Sequence, residues 1–555
     1  MCGIAGIFSS RSEKKYTEKL DEMLAVQNHR GPNQKGVLEK NNLTYGMTRL
    51  KIIDTEEHSI PYATNDQNIS IVYNGEIYNH QEVRKTFQKK YCFSSPSDAE
   101  TVLYNYCEKG ESSFADYNGM YAFALYDARK ESLFLVRDKA GEKPLFYLKT
   151  PDFFSFASEV KALLKLVKPV LNRDCISYEA YEFNVEEETL FKDIFSVMPG
   201  EYVRIDKNLT VTKHSYWKIW DNLIHVPDNI KTIERDLTEL LIDSLELRTK
   251  NCVHQYGVFV SGGVDSALIA CITKPDFIYT CHYPHVKELD ELEYAQLVAR
   301  KINKELVVVE PSMEDFERTQ KDILYHLDTP CTWTSFSLWK IIERASQDIK
   351  VVLSGEGADE LFSGYHRYHL LHHDEQIRHM KAMKEYSFLV NKYYGSLASR
   401  YARLVNRSDD YNNARVVEYL EEKIEFYFSR MHNDHLHGMG VTDFYTTMQE
   451  ILQLGDRMNM AFSVENRCPF LDYRLIQYAY SMPSKYKIRE GTTKWIIKHI
   501  AKKIIPKEIV ERIDKRGFTA PYNQWFGGKE KGNYNRSNYK KQVFELWKAL
   551  FNISV

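Results

Sequence analysis

Paired cysteines are missing from this chain. Nine cysteines (Cys2, Cys92, Cys107, Cys175, Cys252, Cys271, Cys281, Cys331 and Cys468) are scattered over 555 residues with no CxxC among them. That spacing excludes a zinc ribbon and a disulfide framework, and reads as free thiols in a reducing compartment. No apolar run approaches the ~20 residues that span a bilayer. The opening MCGIAGIFSS lacks the basic region and long apolar core of a signal peptide, so the cytoplasm is the expected compartment. Basic excess is missing too. A formal net charge of -3 argues against a nucleic-acid surface or a polybasic membrane patch. What is present is 43% hydrophobic and 27% charged residues, enough for a buried core in two to four globular domains.

The most informative stretch is VFVSGGVDSALIACI, Val258 to Ile272. Val258, Phe259 and Val260 read as a buried strand, and the run from Ala267 as a helix. Between them stand Ser261, Gly262, Gly263, Asp265 and Ser266. A strand, a glycine turn and a helix aim backbone N–H groups and a positive helix end at an anion. The glycines admit phosphate close to the main chain, and the serine hydroxyls add donors. A carboxylate beside phosphates is repulsive unless a divalent cation lies between them, so Asp265 implies Mg²⁺. No lysine closes the loop, so it is not the GxxxxGK(S/T) type. It resembles the SGGxDS loop of ATP pyrophosphatases, which cleave ATP between its α and β phosphates.

KVVLSGEGADELFSGY, Lys350 to Tyr365, repeats the design: a strand, then Ser354, Gly355, Glu356, Asp359 and a helix. Two acidic loops at the ends of parallel strands could reach one Mg–ATP, with Asp265 and Asp359 as metal-linked carboxylates. Glu356, between two glycines, is a candidate for a carboxylate near the reacting centre. The strands around Phe277–Pro284 and in ELVVVEP, alternating with helical DELEYAQLVARKIN, predict a parallel, doubly wound sheet.

At the other end, Cys2 precedes a short apolar strand, Gly3 to Phe8. Loss of Met1 would give Cys2 a free α-amine with a reference pKa of ~8, able to serve as base for its own thiol. HRGP (29–32), TRL (48–50), NGEIYNH (74–80), Ser97-Asp98 and RDKAGEKPLFY (137–147) follow in strand-rich sequence. With MCGIAGIF they resemble, in order, the class II glutamine amidotransferase domain. The resemblance implies two stacked antiparallel sheets between helices (αββα), with Cys2 attacking the side-chain amide of glutamine. It implies an oxyanion hole from the Asn74 side chain and the Gly75 N–H. Arg49 would bind the substrate carboxylate, and Glu76 and Asp98 its α-amino group. Asn33 departs from the family's HRGPD and is a loop variation.

Further on, DRMNMAFSVENRCPFLD (456–472), GTTKWII (491–497) and KRGFTAP (515–521) join the two Ser-Gly loops. Together they resemble glutamine-hydrolysing asparagine synthetase over nearly the entire chain, apart from 366–440 and the C-terminal tail. By this resemblance Val260, Ser261, Gly262, Gly263, Asp265, Ser266, Ser354 and Gly355 bind ATP. Glu356 and Lys494 act on the acyl-adenylate and its pyrophosphate leaving group. Family members pass ammonia through an internal tunnel. HLDTPCTWTSFS (326–337) departs from the usual DEPxxxPS, with Thr329 replacing a carboxylate and Trp333 adding bulk near the expected acyl acceptor.

The expected organisation is a glutaminase domain at 1–205, a linker at 206–230 and an ATP pyrophosphatase-type synthetase domain at 231–555. The expected reaction uses glutamine, ATP and a carboxylate acceptor, aspartate foremost and a uronic or natural-product acid second. ATP and Mg²⁺ are the cofactors, and a homodimer is compatible with the sequence. A non-catalytic scaffold on the same fold is the competing class. The histidines His366, His369, His372, His373 and His379 have metal-like spacing, but a solvated helix is the simpler reading.

Overall fold

The computed structural model describes all residues except 11–15, 53–55, 174, 176–181, 251, 253, 287–288, 331–334, 374–394, 407–413, 513–518, 527–535 and 555. The first half holds two six-stranded antiparallel sheets. One runs, in spatial order, through Ile194–Ser196, Phe146–Lys149, Phe153–Ala157, Cys2–Ser9, Leu43–Arg49 and Gln34–Lys40. The other runs through Val211–Ser215, Glu201–Ile205, Ser132–Arg137, Gly119–Asp127, Ile69–Ile77 and Tyr62–Ala63. Their inner faces share one core, with Ile4 and Phe8 from the first meeting Ile71, Tyr73, Phe123 and Leu125 from the second. Helix Thr17–Ala25 covers the first sheet and Asp98–Lys109 the second. This is the αββα arrangement.

The strand that ends the second sheet lies inside the stretch expected to be a linker. Val211–Ser215 (VTKHS) pairs antiparallel with Glu201–Ile205 around a turn in which Asp206 accepts from the Asn208 and Thr210 N–H groups. Its residues are partly or fully exposed, so it carries no apolar alternation to read.

The second half is organised around a five-stranded parallel sheet. Its order is Leu306–Val309, Phe277–Cys281, Tyr256–Phe259, Val351–Leu353 and Glu465–Arg467. The first strand in sequence therefore lies at the centre, and the chain winds outward in one direction and then the other. The switch point falls between Tyr256–Phe259 and Val351–Leu353, where a parallel sheet opens its ligand crevice. The two Ser-Gly loops leave these two strands. No helix among the described residues is long and apolar enough to cross a membrane.

Candidate active sites

Antiparallel pairing sets Cys2 opposite Arg49 and Gly75 opposite Tyr121. Cys2, Arg49, Gly75, Glu76 and Asp98 all line one cavity of about 350 Å³, together with Tyr62, Tyr73 and Glu465. The Cys2 backbone N–H donates to Asn74 Oδ1 at 2.9 Å. That bond orients the amide and leaves Asn74 Nδ2 a buried donor without a hydrogen-bond partner among the described residues. Gly75 has φ 153°, and a Cβ there would meet the Met120 carbonyl at 2.2 Å, so the close approach requires glycine. Arg49 donates from Nη1 to the Glu56 carbonyl at 3.0 Å. Asp98 Oδ2 accepts from Tyr73 Oη at 2.5 Å and from the Ile77 N–H at 2.9 Å. Burial pushes the Cys2 thiol up, while the N-terminal ammonium, the Leu50 backbone N–H and Arg49 pull it down. Glu76 is raised well above the carboxylate range, first by burial and then by Asp98.

At the switch point, Gly262 has φ 66° and Gly263 caps helix Val264–Thr273. The Ser261 N–H donates to Ser266 Oγ at 3.3 Å, closing the first loop on itself. Asp265 sits in the first turn of that helix. The Lys494 ammonium reaches Asp265 Oδ2 at 2.6 Å and Asp359 Oδ1 at 2.7 Å. Two carboxylates from different loops thus share one cation. Ser354 Oγ donates to Asn466 Oδ1 at 2.7 Å, and the Cys468 thiol contacts Glu356 Oε2 at 3.8 Å. Carboxylate oxygens converging from two loops are the hard donor type that Mg²⁺ takes.

Three contributors are invisible in local sequence pattern. Arg512 donates to the Gly262 carbonyl at 3.2 Å and pairs with Glu291 at 2.9 Å, bracing the first loop. Arg30 of HRGP bridges the halves, meeting Glu159 at 2.9 Å and Asp456 at 2.7 Å. Burial alone would push Glu159 up, but His29, Lys161 and Arg457 hold it well below the usual range. Glu465, from the parallel sheet, lines the cavity around Cys2. The useful signal was the membership of Arg30 and Glu465 in motifs (HRGP, SVENRCPF) whose roles the sequence alone leaves unassigned; Arg512 had none.

Within 326–337, His326 contacts the His29 ring and Asp328 accepts from the Val160 N–H, so this end faces the first half. Thr329 is buried, and Trp333 lies outside the described residues. His372 Nδ1 lies 2.9 Å from His435 Nε2. Among the described residues no group of three or more His, Cys, Asp or Glu is arranged to hold a metal, and His379 lies outside them.

A model of the glutamine amidotransferase domain matches residues 1–217, which sets the class of the first half. A model of asparagine synthase matches residues 236–544. That is more than half of the chain, which therefore belongs to the asparagine synthase family. Glutamine-hydrolysing asparagine synthetase 1 of Bacillus subtilis is 28% identical, over 95% of this chain and 88% of its own. Asparagine synthetase 3 of the same organism is 28% identical over 92% and 86%. Amidase chyE of Penicillium rubens is 24% identical over 99% and 94%. The chain is a ligase-family glutamine amidotransferase.

Proposed function

We propose that the protein is a glutamine-dependent asparagine synthetase working in the cytoplasm. The Cys2 thiol attacks the side-chain amide carbon of glutamine, Asn74 Nδ2 and the Gly75 N–H donate to the developing oxyanion, and ammonia leaves. Water then hydrolyses the thioester to glutamate. Arg49 holds the substrate carboxylate through its planar fork. Glu76 and Asp98 take the α-amino group. Neutral, preorganised donors suit a charge that appears only in the transition state.

In the second half, an aspartate side-chain carboxylate attacks the α-phosphorus of ATP and displaces pyrophosphate. Ammonia attacks the resulting acyl-adenylate, and AMP leaves with formation of the amide. Val260, Ser261, Gly262, Gly263, Ser266, Ser354 and Gly355 cradle the nucleotide. Glu356 takes a proton from the attacking ammonia, and Lys494 neutralises the departing pyrophosphate. Asp265 and Asp359 would hold Mg²⁺, which when bound draws charge from the phosphates.

The observation that carries this reading is the Lys494 ammonium shared by Asp265 and Asp359, two residues from separate loops at the switch point of the sheet. A second reading keeps the chemistry and changes the acid. It is supported by the relative named an amidase, aligned along nearly all of this chain, and by Thr329 in place of a carboxylate. The test is glutamine- and acceptor-dependent pyrophosphate release across aspartate, glutamate and uronic acids. Aspartate is expected to stimulate release most. A uronic acid outperforming aspartate by tenfold or more would transfer the assignment to the second reading.

A further inference from the structure

The cavity around Cys2 is not built by the first half alone. Strand Glu465–Arg467 is the edge of the parallel sheet, next to Val351–Leu353. Its Glu465 side chain crosses the seam, with a side-chain exposure of only 2%. One oxygen, Oε2, accepts from the Met1 α-ammonium at 3.2 Å. The other, Oε1, accepts from Arg467 Nε at 2.7 Å. Met1 itself is buried among Leu50 and Ile52 of the first half and Val351 and Met460 of the second. Glu465 therefore meets the chain terminus one residue from the thiol, and it does so from the other domain.

We infer that Glu465 is a positioning residue for the glutaminase: a carboxylate from the synthetase sheet that anchors the α-amine serving the Cys2 thiol and stabilises the ammonium formed when that amine takes the thiol proton. The inference rests on the reading of Cys2 as an N-terminal nucleophile. Excision of Met1 moves the amine by one residue and removes the ammonium that Glu465 holds. The Cys2 nitrogen, which donates to Asn74 Oδ1 at 2.9 Å, then becomes the terminal amine, with Glu465 on the wall of the same cavity and already oriented by Arg467. A buried anion next to an amine favours its ammonium form and fixes its place. The Met1 ammonium acts on the Cys2 thiol, on Glu76 and on Glu465; Asp98 acts on the thiol and on Glu76, Arg49 on the thiol, and Arg467 and Lys143 on Glu465. The arrangement makes the first site complete only when the second half is folded and docked. It also puts Glu465 next to Asn466, which accepts from Ser354 Oγ in the nucleotide cleft, and three residues from Cys468, whose thiol touches Glu356 there. One short strand thus contacts both sites.

Glu465→Gln tests this, because the amide oxygen can still accept from Arg467 while the charge facing the amine disappears. Intact mass first establishes that the purified chains begin at Cys2. Glutamine hydrolysis is then followed from pH 5 to 9, with ammonium-driven pyrophosphate release as a measure of the second site. The expected result is a fall of about 10- to 100-fold in the plateau rate and a shift of the acid limb to lower pH by about one unit. Pyrophosphate release stays within about twofold, and Glu465→Asp restores part of the hydrolysis. Unchanged rate and pH limb would overturn the inference. So would equal loss of both activities with no rescue by Asp, which marks a merely structural residue. The parent reading fails differently: Cys2→Ala would then leave hydrolysis intact.

Discussion

Around Cys2 the polar groups are buried carboxyls, one guanidinium and neutral backbone or amide donors, fixed between two antiparallel sheets. Around Lys494 they are full charges at the open ends of parallel strands. The first cavity is formed before substrate arrives, with Asn74 already held by the Cys2 N–H. The second is a cleft whose two carboxylates are balanced by one lysine. The difference follows the chemistry. Amide hydrolysis needs oriented dipoles for a charge that comes and goes. Adenylation handles a polyanion, so it needs a balanced set of ions that the ligand can reorganise. The halves meet across a buried ionic seam of Arg30, Glu159, Asp456 and Arg457, whose charges are compensated by one another. Breaking one member of such a seam strands the others, which costs far more than losing a surface pair.

The largest effect that would sharpen this contrast is at Lys494. Lys494→Ala removes the ammonium that Asp265 and Asp359 share. Acceptor-dependent pyrophosphate release is expected to fall about 10³-fold or more, while glutamine hydrolysis changes by less than about threefold. Parallel loss of both activities in steady-state assays would mean that the two sites are not separable in this way.

A smaller effect is expected at Glu142, which lies in the loop joining the seam. Both its carboxyl oxygens are buried and meet no side-chain hydrogen-bond donor among the described residues, and the Cys468 backbone N–H faces them. Burial pushes it up to about 8, against a pull downward from Arg248. The folded chain therefore holds this proton where an unfolded one has released it, and stability declines as pH rises from about 4.5 to about 8. Glu142→Gln mimics the protonated form and removes that slope. Thermal unfolding should show the variant gaining about 1–3 kcal/mol over the parent at pH 8 relative to pH 5. An unchanged pH slope would show that the carboxyl is ionised in the fold.

Local pattern carried much of this molecule. Both Ser-Gly loops, the Cys2 strand and the alternation of strands and helices after residue 256 are contiguous, and their residue types state their purpose. The pairing of Asp265 with Asp359 was also within reach, because two acidic loops on parallel strands have few places to go but the switch point. The seam was not. Arg30, Glu159, Asp328 and the adjacent pair Asp456 and Arg457 come from four distant stretches of sequence, and no periodicity connects a charge to its distant partner. Lys494 was expected near pyrophosphate, yet its bond to both aspartates depends on a left-handed residue (φ 51°) capping helix Trp495–Ala501. Val211–Ser215 escaped because an exposed edge strand pairs through its backbone and asks little of its side chains.

The account stands most directly on a thiol in one half supplying nitrogen to an activated acid in the other. Cys2→Ala should be assayed for AMP and amide formation with glutamine and, separately, with ammonium chloride. Glutamine is expected to support less than about a thousandth of the parent rate, and ammonium to support amide formation at close to the parent's ammonium rate. Undiminished amide formation from glutamine by the variant would contradict the assignment of Cys2.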